Sequence, residues 1–259
     1  MNVHGKTPHR AGLTADGSGG RVASAQDSRA RSVLRRVPPG AAVRTVVAVF
    51  GVLAAGAGVE HGIGEILQGS VASDGPFIRS WPDTEAFDVL GGEPALTVLP
   101  TMLLSGIVTV IVASGLGIWA IIGVHRRYGG LVLIGLSLLL LLVGGGFGPP
   151  LLAIILGLGG TWLTVPSQPP RAGSRAFARV WPWALGAGVV GYLGLVPGML
   201  ILNTMWGEQP TSLTYALMML AFGGVILAVL AARTGDRLLA WSGVAQSDAD
   251  RGVRKGRTR

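Results

Sequence analysis

The sequence predicts an all-α, polytopic membrane bundle of about six transmembrane helices with both termini in the cytoplasm. Three observations carry this expectation. Only 13% of the residues are charged, against about 25% in a soluble domain. Several apolar runs approach the roughly 20 residues that a spanning helix requires. The arginines and lysines sort to one side of those runs. The 42 glycines show no Gly-X-Y period, which excludes collagen, and suit close helix contact in lipid. A net charge of +8 raises nucleic acid as a partner. The basic residues cluster beside apolar spans instead, as membrane orientation demands, so no nucleic-acid role is expected. The absence of cysteine excludes disulfides, thiolate metal sites and cysteine nucleophiles.

Residues 1–43, rich in Gly, Ser, Ala and Arg, read as a disordered basic cytoplasmic tail. Arg35-Arg36 is followed by Val37-Pro38-Pro39, which argues against a twin-arginine export signal. A membrane domain over 44–233 follows, with spans at about 45–67, 97–124, 130–146, 150–165, 181–204 and 213–232. Between the third and fourth, Gly144-Gly-Gly-Phe147-Gly-Pro149-Pro150 marks a tight hairpin, since about 35 residues in one helix would far exceed one bilayer crossing. Pro197 is expected to kink the fifth span. Every basic residue except Arg79 falls in the N-terminal tail or beside it at Arg44, in the second-to-third or fourth-to-fifth connection, or in the basic cytoplasmic C-terminal tail, 234–259, or beside it at Arg233. The positive-inside rule places those segments in the cytoplasm. Trp119, Trp162, Trp181 and Trp183 then fall near the inner boundary and Trp206 near the outer one, where amphipathic rings anchor. The basic tails are candidate contacts for anionic lipid.

The outer loop, residues 69–96, reads as carrying a short interfacial helix. Ser80 would cap it, Pro82 suits its first turn, and Gly91-Gly92 would stop it. Trp81, Phe87 and Leu90 would give it an apolar side and a lid's position over the first span.

The first span holds the chain's most informative residues: Glu60, His61, Glu65 and Gln68 inside an apolar stretch. Ionisable groups at membrane depth mark functional sites by default. At about 100° per residue, His61, Glu65 and Gln68 share one stripe, while Glu60 lies about 100° away and is expected to meet another helix. His61 falls about 24 Å along the helix from Thr45, in the outer part of the hydrocarbon. Gly56, Gly58, Gly62 and Gly64 leave room for a neighbour. Four readings compete. The groups hydrogen-bond to neighbouring helices or Arg79; they relay ions or protons; His61 and Glu65 at i and i+4 share a metal completed by Glu93 or Glu208; or a carboxylate–histidine pair does acid–base chemistry. The binding residues expected are Glu60, His61, Glu65, Gln68 and Glu93, with no catalytic residue named and no cofactor identified. Metal-protease, P-loop and nucleophile-elbow motifs are absent from the sequence.

The segments Gly58-Val-Glu60-His61-Gly62-Ile-Gly64-Glu65-Ile-Leu-Gln68-Gly69, Ser80-Trp81-Pro82, Gly91-Gly92-Glu93-Pro94 and Gly144-Gly-Gly-Phe147-Gly-Pro149-Pro150 together resemble a family of uncharacterised bacterial multi-pass membrane proteins over roughly residues 45–165. The resemblance implies an integral protein of a bacterial cytoplasmic membrane and transfers no activity. The expected role is ion or small-solute handling, or a cell-envelope role, through an outward-facing polar pocket. The alternatives are a membrane-embedded enzyme acting on a lipid or envelope precursor, and a structural subunit with a protein partner or a second copy of the chain.

Overall fold

Eight α-helices and one short hairpin arrange the described residues of a computed structural model, which are 40–257 except 83, 85, 86, 88–90 and 165–172. The helices are α1 (Ala41–Leu67), α2 (Met102–Ile122), α3 (Gly129–Val143), α4 (Gly148–Thr161), α5 (Ser174–Ala178), α6 (Trp181–Leu193), α7 (Met199–Trp206) and α8 (Thr211–Arg257). A π-helical turn, Gly194–Gly198, joins α6 to α7 and contains Pro197. Proline removes a backbone donor and clashes with the preceding turn, and the wider π turn absorbs both effects. Among the described residues, four helices or continuous helical runs are long and apolar enough to cross a bilayer: Ala41–Leu67, Met102–Ile122, Ser174–Trp206 and Thr211–Gly243. Gly129–Val143 and Gly148–Thr161 are shorter apolar helices.

Local chemistry accounts for the helix ends. Thr101 caps α2, its side chain accepting from the Leu104 N–H. Gly144, at φ 117°, ends α3 in a conformation that side chains disfavour. Pro149 and Pro150 open α4 and Pro182 opens α6, positions where the missing N–H costs nothing. No side chain of its own caps α1. Asp236 of α8 does so, accepting from Ala42 N–H at 3.1 Å and Val43 N–H at 3.0 Å. Ser105 and Thr109 of α2 donate to the carbonyl of Val143 at 2.8 and 2.6 Å, satisfying the end of α3.

α1 and α2 pack antiparallel along a seam of small residues. Gly51 meets Ala120, Ala55 meets Gly117, Gly58 meets Ala113 and Gly62 meets Gly106. A Cβ on Gly62 would stand 2.8 Å from the Gly106 carbonyl oxygen, so the backbones are in contact. Gly64 packs against the outer loop, and Gly56 faces open space with no atom within 4 Å. Of the four glycines expected to admit a neighbouring helix, Gly58 and Gly62 therefore do so. α6 crosses α8 in the same manner, with Gly188 against Gly224 and Phe50, and Gly191 against Ala221. Phe50, Leu116, Leu140, Leu152 and Leu156 fill the centre, all fully buried. Ile107, Ile111, Ile118 and Ile121 of α2 point outward and are exposed, as suits lipid.

The contacts gather the basic residues at one end. Asp236 touches the start of α1, Leu163 lies against Gly40, and Gly235 lies beside Ala178. Arg44, Arg126, Arg127, Arg175, Arg179, Arg233 and Arg237 belong to that end. Trp162 and Trp119 lie there too, under Arg233 at 4.0 Å and Arg126 at 5.7 Å.

Three expectations need adjustment. The last helix does not stop near residue 232. The chain turns polar there, which ends an apolar span but not a helix, and α8 continues to Arg257. α1 begins at Ala41, so the expected tail of residues 1–43 overlaps it, and residues 1–39 lie outside the described residues. The outer loop holds a hairpin, β1 (Phe77–Arg79) paired antiparallel with β2 (Pro94–Leu96). Most of the expected lid helix, residues 83, 85, 86 and 88–90, lies outside the described residues. Within it, Phe87 stacks on Trp81 with ring centroids 4.8 Å apart.

Candidate functional site

The last turns of α1 bring the polar residues to the end of the bundle opposite every described arginine but Arg79. α1 ends at Leu67, and Gly69 turns the chain at φ 76°. Gln68 then reaches back. Its side-chain amide lies within hydrogen-bond distance of the carbonyls of Gly64 (3.3 Å), Arg79 (3.1 Å) and Ser80 (2.9 Å). Gln68 is thus the tie that fastens the outer loop to α1. Gly64 lets the loop lie close, since a Cβ there would collide with the Ser80 carbonyl and the Trp81 ring. Arg79 meets α1 through its backbone carbonyl.

The hairpin delivers the next residue. Ser80 N–H donates to the Glu93 carbonyl and Trp81 N–H to that of Gly92, both at 3.1 Å. Gly91, Gly92 and Glu93 all have positive φ, at 68°, 72° and 52°. Glu93 is the one non-glycine residue with positive φ among the described residues, a conformation that L side chains adopt at a cost. Its side chain sits over α1, with Oε2 3.3 Å from His61 Nε2. Glu60 joins them: Glu60, His61 and Glu93 each offer one ligand-type atom, all within 4.8 Å of one another. The nearest polar neighbours of Glu60 are Glu93 and Trp81 of the loop, so it meets the loop and not another helix.

Glu65 points elsewhere. Ser80 Oγ stands 2.9 Å from His61 Nδ1 and donates to Glu65 Oε1 at 3.3 Å. A serine hydroxyl has one proton. Given to Glu65, it leaves the oxygen to accept from His61 Nδ1–H, which assigns the proton to Nδ1 and a lone pair to Nε2. His61 and Glu65 are therefore linked through Ser80, and Glu65 stands outside the group of three. Glu208 is exposed on the segment before α8.

The α3–α4 turn closes the arrangement. Gly144 lies against the Glu65 carboxylate and Gly146 (φ 68°) against His61 Nε2, and a Cβ on either would collide. The four segments 58–69, 80–82, 91–94 and 144–150, three of them rich in glycine, all meet here. His61 and Glu93 are each 6% exposed and Glu65 is fully buried. Isolated carboxylates in such surroundings are costly. Burial first, and then the Glu60 carboxyl alongside, push the Glu93 carboxyl above the usual carboxylate range. Both Glu60 oxygens, Glu65 Oε2, Glu93 Oε2 and Trp81 Nε1 are buried without a hydrogen bond.

A cavity of about 170 Å³ opens beside the group. His61 and Glu93 line it, and Phe147, Tyr192, Leu195 and Phe222 supply most of the apolar wall. The π turn places Leu195 in this wall, and Tyr192 is held by donating its hydroxyl proton to the Leu53 carbonyl at 3.2 Å. Ser80, Trp81, Gly144, Gly146 and Tyr192 were not among the expected site residues. For Gly144 and Gly146 the signal was the glycine run itself; Ser80, Trp81 and Tyr192 carried none. No family model, no curated protein and no solved structure matches this chain.

Proposed function

We propose that the chain is a six-span integral protein of a bacterial cytoplasmic membrane, with cytoplasmic termini and basic tails against anionic lipid. Its pocket faces outward and handles an ion or a small solute. The observation that carries this reading is the group Glu60–His61–Glu93, whose buried members His61 and Glu93 line a cavity at the end of the bundle opposite every described arginine but Arg79. Residues of that kind face a pathway or a water-filled pocket when they lie at membrane depth. The gathering of the basic residues supports the orientation, since arginine and lysine are retained on the cytoplasmic side. The antiparallel courses of α1 and α2, and of the α5–α7 run and α8, support repeated crossing.

A packing role, as in a structural subunit, is the second reading, favoured by Gln68, which spends its amide on the loop carbonyls. Purified protein in proteoliposomes separates the two. Flux of protons, divalent cations or small amines above that of protein-free vesicles is expected, and Glu93→Gln should abolish it while the variant keeps its elution profile and helicity. If no such flux exceeds that of protein-free vesicles, or Glu93→Gln lowers thermal stability with flux intact, the handling role fails and packing is left.

A further inference from the structure

We propose that Glu60, His61 and Glu93 bind one divalent transition-metal ion of the zinc class through His61 Nε2 and one oxygen from each carboxylate. The inference deepens the ion-handling reading by naming the ion's chemistry, and it rests on that reading only for its purpose, not for its geometry.

The argument starts from the proton on His61. With Nδ1–H committed to Ser80, Nε2 presents a lone pair, and Glu93 Oε2 presents another at 3.3 Å. Two acceptors at that distance call for an electrophile between them. Glu93 is more than nine-tenths buried and its Oε2 has no hydrogen bond, so either a proton on the pair or a metal ion fills the role. The His61–Glu93 spacing fits a metal, and the Glu60 oxygen lies within 4.8 Å of both. Two ligands of a tetrahedral ion at bond lengths of about 2.0–2.1 Å stand about 3.4 Å apart. Glu60 supplies a third ligand, both its oxygens buried and without a hydrogen bond. One imidazole and two carboxylates suit zinc, manganese or cobalt, and the chain has no thiolate to draw softer ions. Ser80 and Glu65 do what outer partners of a metal-bound histidine do: they fix the tautomer and the ring's orientation. The cavity beside His61 and Glu93 leaves room for a water or a substrate as a further ligand.

The test uses the full chain, purified in mild detergent and stripped with a chelator, with Zn²⁺ alone and then Co²⁺ alone added back. Calorimetry with elemental analysis should find one ion per chain. Outer partners contribute about 10–100-fold to metal affinity, so Ser80→Ala should weaken Zn²⁺ by about 10-fold and Glu93→Gln or His61→Ala by more than about 100-fold. Glu208→Gln should bind as the parent does. Where a variant fails to fold, the Co²⁺-loaded parent still reports. A hyperfine-shifted, slowly exchanging imidazole N–H is expected from His61, ligated through Nε2 and shielded at Nδ1. No uptake by the stripped parent, uptake unchanged in folded Glu93→Gln, or a Co²⁺ form without that signal would each overturn the site, the first pointing to a proton held between His61 and Glu93. Flux without metal binding would remove this inference and leave the handling role standing. Binding without any flux would do the reverse.

Discussion

Ser80 controls two buried groups with one hydroxyl. Replacing it with alanine strands the His61 Nδ1–H and the Glu65 carboxylate together, since each faces Ser80 in the structure. An unsatisfied buried polar group costs about 1–3 kcal/mol. Ser80→Ala is therefore expected to destabilise the protein by roughly 2–4 kcal/mol, read as a lowered midpoint of thermal unfolding in detergent. Ser80→Thr, which keeps the hydroxyl, should recover most of the loss. Equal stability of the alanine variant and the parent would show that the link is idle. The His61–Glu65 half of this contact was legible from the sequence, because four residues of helix bring two side chains onto one face. The Ser80 half was not. It lies 15 residues beyond Glu65, across a loop whose path depends on where Gln68 finds its carbonyls. Helical periodicity carries no information across such a connection. The same limit hid the role of Glu93 as the partner of His61 and not of Glu65.

Between elements, glycine does different work at positions that look alike in the sequence. Gly56 and Gly62 both lie within α1, six residues apart, yet Gly62 touches the α2 backbone and Gly56 touches nothing. Gly56→Ala should stabilise by about 0.5–1 kcal/mol, the usual gain from removing a helix-interior glycine. Gly62→Leu should destabilise by about 1–3 kcal/mol or more, because its side chain must force α1 from α2. Thermal unfolding of the two variants side by side checks both signs, and a loss from Gly56→Ala would mean that a partner covers that face. Glycine content pointed to close packing but not to which glycine packs. Helix positions were read well wherever apolar runs met Gly or Pro, as at Gly144 and Pro149. For α8 the apolar run marked the span, and the helix runs on beyond it to Arg257, where polar residues carry no hydrophobic signal. The β1–β2 hairpin escaped notice because three residues per strand are too few for an alternating pattern to register.

For the molecule as a whole, the open question is the depth of the α3–α4 hairpin. Its arms have 15 and 14 residues, or about 22 Å each, short of a hydrocarbon core of about 30 Å. Yet the turn between them reaches Glu65 and His61, which lie near the far end of α1. Both hold if the outer surface dips over this region, with the turn at the floor of the pocket and the loop carrying Ser80 and Glu93 above it. Charge alone does not decide the matter, because a hairpin that crosses and one that enters and returns leave Arg126 and Arg175 on the same side. Phe147, at the turn and 45% exposed, is the residue whose labelling tests it. The chain has no cysteine, so single cysteines can be introduced and labelled without background. With a membrane-impermeant maleimide on intact cells, Asp74→Cys and Phe147→Cys should react, while Arg126→Cys and Arg175→Cys should react only after permeabilisation. Labelling of Asp74→Cys without Phe147→Cys would seal the pocket floor from outside and reduce the crossings to four. Labelling of Arg126→Cys in intact cells would invert the orientation, and the acidic pocket would then face the cytoplasm.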